Sequence, residues 1–97
     1  MANFIYNEDG DAVGFHDEAH IFKLDGTPIG ILNGPSVHKL DGSYIGELYE
    51  DMVVDRFSQD LGAIDPSTPA RHAPTPTPAN RGMMSYGFPD VFDQLLA

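Results

Sequence analysis

The sequence has no cysteine, which excludes disulfides and thiolate metal sites and leaves redox compartment unreadable. Positive charge is scarce as well. Five Lys and Arg stand against fifteen Asp and Glu, a formal charge of −10. Lys23, Lys39 and Arg56 are the only bases at or before residue 67, so the imbalance sits there, while Arg71 and Arg81 balance Asp90 and Asp93 beyond it. Such a surface repels phosphate backbones and anionic lipid, so neither nucleic acid nor membrane is an expected partner. No apolar run approaches the roughly 20 residues that span a bilayer. The first residues, Met1-Ala2-Asn3-Phe4-Ile5, lack the basic and apolar regions of a signal peptide. The expected location is therefore cytoplasmic.

What the chain does have is a repeat. Glycines at 14, 30, 46 and 62 are each 16 residues apart. In that frame residues 4–67 divide into four units: FIYNEDGDAVGFHDEA, HIFKLDGTPIGILNGP, SVHKLDGSYIGELYED and MVVDRFSQDLGAIDPS. Position 2 of each unit is Ile5, Ile21, Val37 or Val53, and position 10 is Val13, Ile29, Ile45 or Leu61. Asp-Gly recurs at 9–10, 25–26 and 41–42. Asp-Gly between short β-prone runs signals a tight hairpin, here a three-residue loop with its Gly left-handed. That loop predicts Ile5 opposite Val13, Ile21 opposite Ile29, Val37 opposite Ile45 and Val53 opposite Leu61, all on one face.

A further column, His16, Leu32, Leu48 and Ile64, lies three residues past position 10, which strict alternation cannot place on the same face. The intervening Gly offers a bulge or a close backbone approach that turns the strand back toward the core. Four such bends about an axis give a pseudo-fourfold all-β domain over residues 1–67. The fourth unit is degenerate, with Ser58 where the turn glycine is expected. Twelve core positions form a thin core for a domain this small, so further cover is expected from the C-terminus or a second subunit.

Residues 66–80 hold five of the eight prolines and no aliphatic side chain larger than alanine, which predicts an extended spacer over about 68–81. In the final segment, 82–97, Phe88, Val91, Phe92, Leu95 and Leu96 mark one face of a short helix over about 89–96. So short a helix must dock, on its own domain or on another chain.

Motifs for chemistry are weak. His16 and His20 flank a unit boundary between strands, His38 is expected in a surface pair with Tyr44, and His72 lies in the spacer, so no metal site is expected. Asn7-Glu8-Asp9-Gly10-Asp11 lacks the glycine and distal glutamate of a calcium loop. Asp17, Glu18, Glu47, Glu50 and Asp51 could hold a hydrolytic carboxylate pair, but a solvated acidic rim is the ordinary arrangement. Ser36, Ser43, Ser58, Ser67 and Ser85 have no nucleophile-elbow context, and no glycine loop cradles phosphate. No catalytic residue, metal or cofactor is assigned.

The 16-residue units, clearest in the KLDG-xx-IG stretches 23–30 and 39–46, resemble the bacterial four-fold beta-flower family. The resemblance covers residues 4–80 and implies four hairpins arranged like petals about an axis. It brings no functional residues. The expected function is a non-enzymatic interaction or assembly module, homo-oligomeric or bound to a protein partner. Contact would run through Met83, Met84, Tyr86, Phe88, Val91, Phe92, Leu95 and Leu96. The alternative is a small-molecule or glycan binder stacking its ligand on Tyr6, Phe22, Tyr44 and Tyr49, and a hydrolase using the acidic rim ranks below both.

Overall fold

A computed structural model describes residues 3–56 and 62–96. Seven strands run as β1 (Asn3–Tyr6), β2 (Ala12–His16), β3 (His20–Lys23), β4 (Pro28–Asn33), β5 (Ser36–Lys39), β6 (Tyr44–Tyr49) and β7 (Met52–Val54). They form one antiparallel meander in chain order. The Tyr6 N–H donates to the Asp51 carbonyl at 2.8 Å, which brings β1 round to the β6–β7 corner and nearly closes a barrel. Among the described residues no helix is long and apolar enough to cross a membrane.

The turn chemistry explains the hairpins. Gly10, Gly26 and Gly42 have φ near +90°, and each donates its N–H to the residue three earlier, Asn7, Lys23 or Lys39. In the second and third units the aspartate side chain accepts the N–H two residues on, Thr27 to Asp25 and Ser43 to Asp41, each at 2.9 Å. These amides, given by Thr27 and Ser43, hold both carboxyls below the ordinary aspartate value. Their support is therefore present above pH about 3.8 and is lost as pH falls through the lowered values.

The register departs from the expected one by a single residue. Tyr6 faces Ala12, but Ile5 faces Gly14, so Val13 is an extra residue on β2. Ile29 and Ile45 are extra residues in the same way, with Ile21 opposite Gly30 and Val37 opposite Gly46. Each bulge resets the alternation, which is how position 10 and the residue three beyond it reach one core. Ile5, Ile21, Ile29, Leu32, Val37, Ile45 and Val53 pack together there, with Val13 and Leu48 against them. The expected Val53–Leu61 pair and the Ser58 turn lie outside the described residues.

Gly14, Gly30 and Gly46 have no positive φ; they are glycines because of what approaches them. A Cβ at Gly14 would land on the Phe22 carbonyl oxygen, and one at Gly46 on that of Val54. At Gly30 it would meet His38 O at 3.0 Å and Leu95 Cδ2 at 2.9 Å. Gly62 breaks the pattern, since it has φ +67° and, among the described residues, nothing within 4 Å of where a Cβ would stand.

Candidate functional site

The C-terminal segment completes the domain. In the first three units the N–H at position 4 donates to the carbonyl at position 8: Asn7 to Asp11, Lys23 to Thr27, Lys39 to Ser43. In the fourth, Asp55 donates to Pro89 at 2.8 Å, Val54 bridges Asp90, and the Val91 N–H donates to Val53 at 3.0 Å. Pro89, Asp90 and Val91 thus stand at positions 8, 9 and 10 of the fourth hairpin. Val91 occupies the place expected for Leu61.

A 3-10 turn, Phe92–Leu95, follows in place of the expected longer helix. Its side chains close the end of the barrel. Phe92 lies over Gly14, Leu95 over Gly30, and Val91 over Gly46. All three are core residues, less than a tenth exposed. Three of the expected partner contacts are therefore spent within the chain, because the glycine column leaves sockets that only apolar side chains from elsewhere can fill.

The expected spacer is a belt bound along its length. Ile64, His72 and Arg81 donate their N–H groups to the carbonyls of Gly42, Gly26 and Gly10. Three residues after each, Ser67, Thr75 and Met84 donate to Leu40, Leu24 and Glu8. Hydrogen bonds at this eight- to nine-residue interval tie the tail to three turns in reverse order. Ile64 consequently belongs to the belt and not to the core column assigned from its spacing. The signal was in the sequence as Ile64-Asp-Pro-Ser67 and His72-Ala-Pro-Thr75, eight residues apart, but proline content alone hid it.

The aromatics proposed for ligand stacking all have partners within the chain, two of them from the belt. The Arg81 guanidinium lies 4.2 Å from the Tyr6 ring centre and ion-pairs with Asp51, which also accepts from the Tyr86 hydroxyl. His72 packs on Phe22 and Phe15, themselves stacked at 5.3 Å. Tyr49 is enclosed by Tyr86, Phe88 and Arg56. Tyr44 packs on His38, which is fully buried and not in a surface pair, with its Nδ1 on the Gly42 carbonyl. A sugar would have to displace these partners, so the geometry does not favour the glycan reading.

The remaining candidates are scattered. His16 Nδ1 pairs with the Asp17 carbonyl, and His20 Nε2 with Ser67 Oγ. Asp17 accepts the N–H groups of Ala19 and His20, and Glu47 is buried near Arg56. Among the described residues no His, Asp and Glu cluster could hold a metal.

An open cleft of about 770 Å³ lies between the first two hairpin turns and the C-terminal turn. Val13, Leu24, Phe92 and Leu96 contribute its apolar surface. Glu8, Asp9, Asp25, Asp90 and Asp93 surround it, with Lys23 the one base among them. Glu8 and Asp90 clasp each other: the Glu8 N–H donates to Asp90 Oδ2 at 3.3 Å, and the Asp90 N–H to Glu8 Oε1 at 3.1 Å. Asp90 Oδ1 also accepts the Phe92 N–H at 3.0 Å. Burial pushes the Asp90 carboxyl above the ordinary value, and the Glu8 and Asp93 carboxylates push the same way against those amide donors.

A raised folded value means that Asp90's contribution to stability is complete below pH about 3.8 and declines as pH rises through that raised value. Asp90→Asn keeps an acceptor for Phe92 and removes the charge. Urea midpoints are expected to place the variant level with or above wild type at pH 7, and below it at about pH 4. A variant weaker by the same margin at both values would show that the charge repulsion is unimportant.

Comparison with known proteins agrees with this architecture. No curated protein and no solved structure matches the chain. A family model described as "4-fold beta flower protein" matches residues 3–90, a span that includes the repeats, the belt and the start of the closing segment. The description names a fold and no activity. With four hairpins round one axis, the fourth completed by residues 89–91, the chain belongs to the 4-fold beta flower family.

Proposed function

We propose that this protein is a non-enzymatic interaction module that holds a protein partner against the cleft beside its C-terminal turn. One observation carries the reading. Among the described residues the large apolar side chains left exposed are Met83, Met84 and Leu96, all on the C-terminal segment, and Leu96 lines the cleft. Met84 is bonded through its backbone to Glu8, another cleft residue. Exposed apolar groups beside a concavity are the usual mark of a contact surface. The self-assembly expected from the sequence relied on an uncovered helix face, most of which is in the core. A second copy would also bring its own −10 charge to a cleft ringed by carboxylates, which favours a different molecule as partner.

A photo-cross-linking residue at position 96 is expected to capture a polypeptide in cell extract. The same residue at Asn33, an exposed position at the β4–β5 link, is expected to capture none. Equal capture at both positions, or none at either, would remove the reading.

A further inference from the structure

The walls of the cleft say more about the occupant than its mere presence does. Four of its five carboxylates, Glu8, Asp9, Asp90 and Asp93, have no Lys or Arg at ion-pair distance among the described residues; only Asp25 is paired, to Arg71 at 3.8 Å. Most of the chain's few bases are committed to its own fold, Arg56 near Glu47, Arg71 on the second turn, and Arg81 on Asp51. Lys23 on the cleft wall offsets one of the five carboxylates, and the rest of the negative field is left for an incoming cation to neutralise. Between the carboxylates lie apolar surfaces, Val13 and Leu24 on the hairpins and Phe92 and Leu96 on the closing turn. A hydrated metal ion or a simple polyamine would use the charge and leave this surface wet. An anionic or purely apolar ligand would meet the carboxylates unpaired.

Resting on the interaction-module reading, we propose that the cleft takes a basic polypeptide segment in which an apolar side chain lies between Lys or Arg residues. The apolar side chain sits against Leu96 and Phe92, and the flanking cations meet Asp93 and Asp90 on one wall and Asp9 on the other. Charge complementarity sets the choice of partner, and the apolar contact sets the position of the segment along the cleft.

The test is calorimetric titration of the full chain with the peptide acetyl-Lys-Leu-Lys-Leu-Lys-amide. Controls are the same peptide with Ser for Leu and the same peptide with Glu for Lys. One site per chain is expected, with the Ser peptide about tenfold weaker, the size of one lost apolar contact, and the Glu peptide unbound. Binding should weaken as salt rises and the Debye length shortens from about 30 Å at 0.01 M to about 8 Å at 0.15 M. Asp93→Asn and Leu96→Ser, both at exposed positions, should each weaken it severalfold with the melting temperature unchanged. Equal binding of the Leu and Ser peptides would overturn the proposal by reducing it to diffuse charge attraction. Unchanged affinity in both variants, or no saturable binding, would overturn it as well. Capture of a polypeptide at position 96 alongside no peptide binding would leave the module standing and remove the basic partner.

Discussion

A chain ending at Ser67 is expected to lose its cooperative unfolding transition at 25 °C. The four units carry only a thin core in sequence, and that core is closed from outside them. Val91, Phe92 and Leu95 are each less than a tenth exposed and fill the sockets over Gly46, Gly14 and Gly30. Burial of three such side chains contributes about 5–9 kcal/mol. Small domains hold only about 5–15 kcal/mol in total, and those of this size lie at the low end. The truncation also strips Pro89–Val91 from the free edge of β7 and the belt bonds to the first two turns. Broad denaturation, dye binding to exposed apolar surface and retained far-ultraviolet β signal are the expected signs. Phe92→Ala in the full chain should cost about 3–5 kcal/mol and lower the urea midpoint without changing the mass in solution. A sharp transition in the truncated chain, at the wild-type midpoint, would show instead that the hairpins hold themselves together.

Gly46→Ala is expected to destabilise by about 2–3 kcal/mol and lower the melting temperature by about 10–20 °C. The added methyl would fall on the Val54 carbonyl oxygen, which is backbone and cannot rotate aside, and would press Val91 Cγ2 at 3.4 Å. Gly62→Ala is the internal comparison. It occupies the same column of the repeat, but among the described residues nothing lies within 4 Å of where its Cβ would stand, and its φ of +67° is what resists a side chain there. About 1 kcal/mol is the expected cost there. Equal losses at the two sites would mean that the glycine column serves backbone conformation and not close approach.

The contrast between these glycines shows where sequence reasoning stopped. The Asp-Gly turns were legible because the cause is local: a left-handed residue within a few bonds of an aspartate that can bond the following amide. The core columns were legible because a period of 16 leaves four copies of each position to compare. The one-residue slip at Val13, Ile29 and Ile45 was half legible. Spacing demanded a change of parity, and glycine was the obvious place for it, but the bulge falls on the residue before. The cleft was not legible, since Glu8, Asp25 and Asp93 meet only through the closing turn. Nor was the burial of Phe22 beneath His72, because the tail residues around the turns carry no period-two or helical signature.

By itself the sequence determined the hairpin unit, its turn chemistry and the acidic surface, all properties decided by neighbours along the chain or by summed charge. Tertiary structure decided the fate of the tail. Only when the first three units had curled round an axis did their glycines present sockets and their turns present carbonyls. Those groups bound residues 64–84 as a belt and drew Pro89–Val91 into the fourth hairpin. The reason is distance in sequence: Asp55 and Pro89 are hydrogen-bonded neighbours separated by more than thirty residues, and no local pattern encodes that pairing.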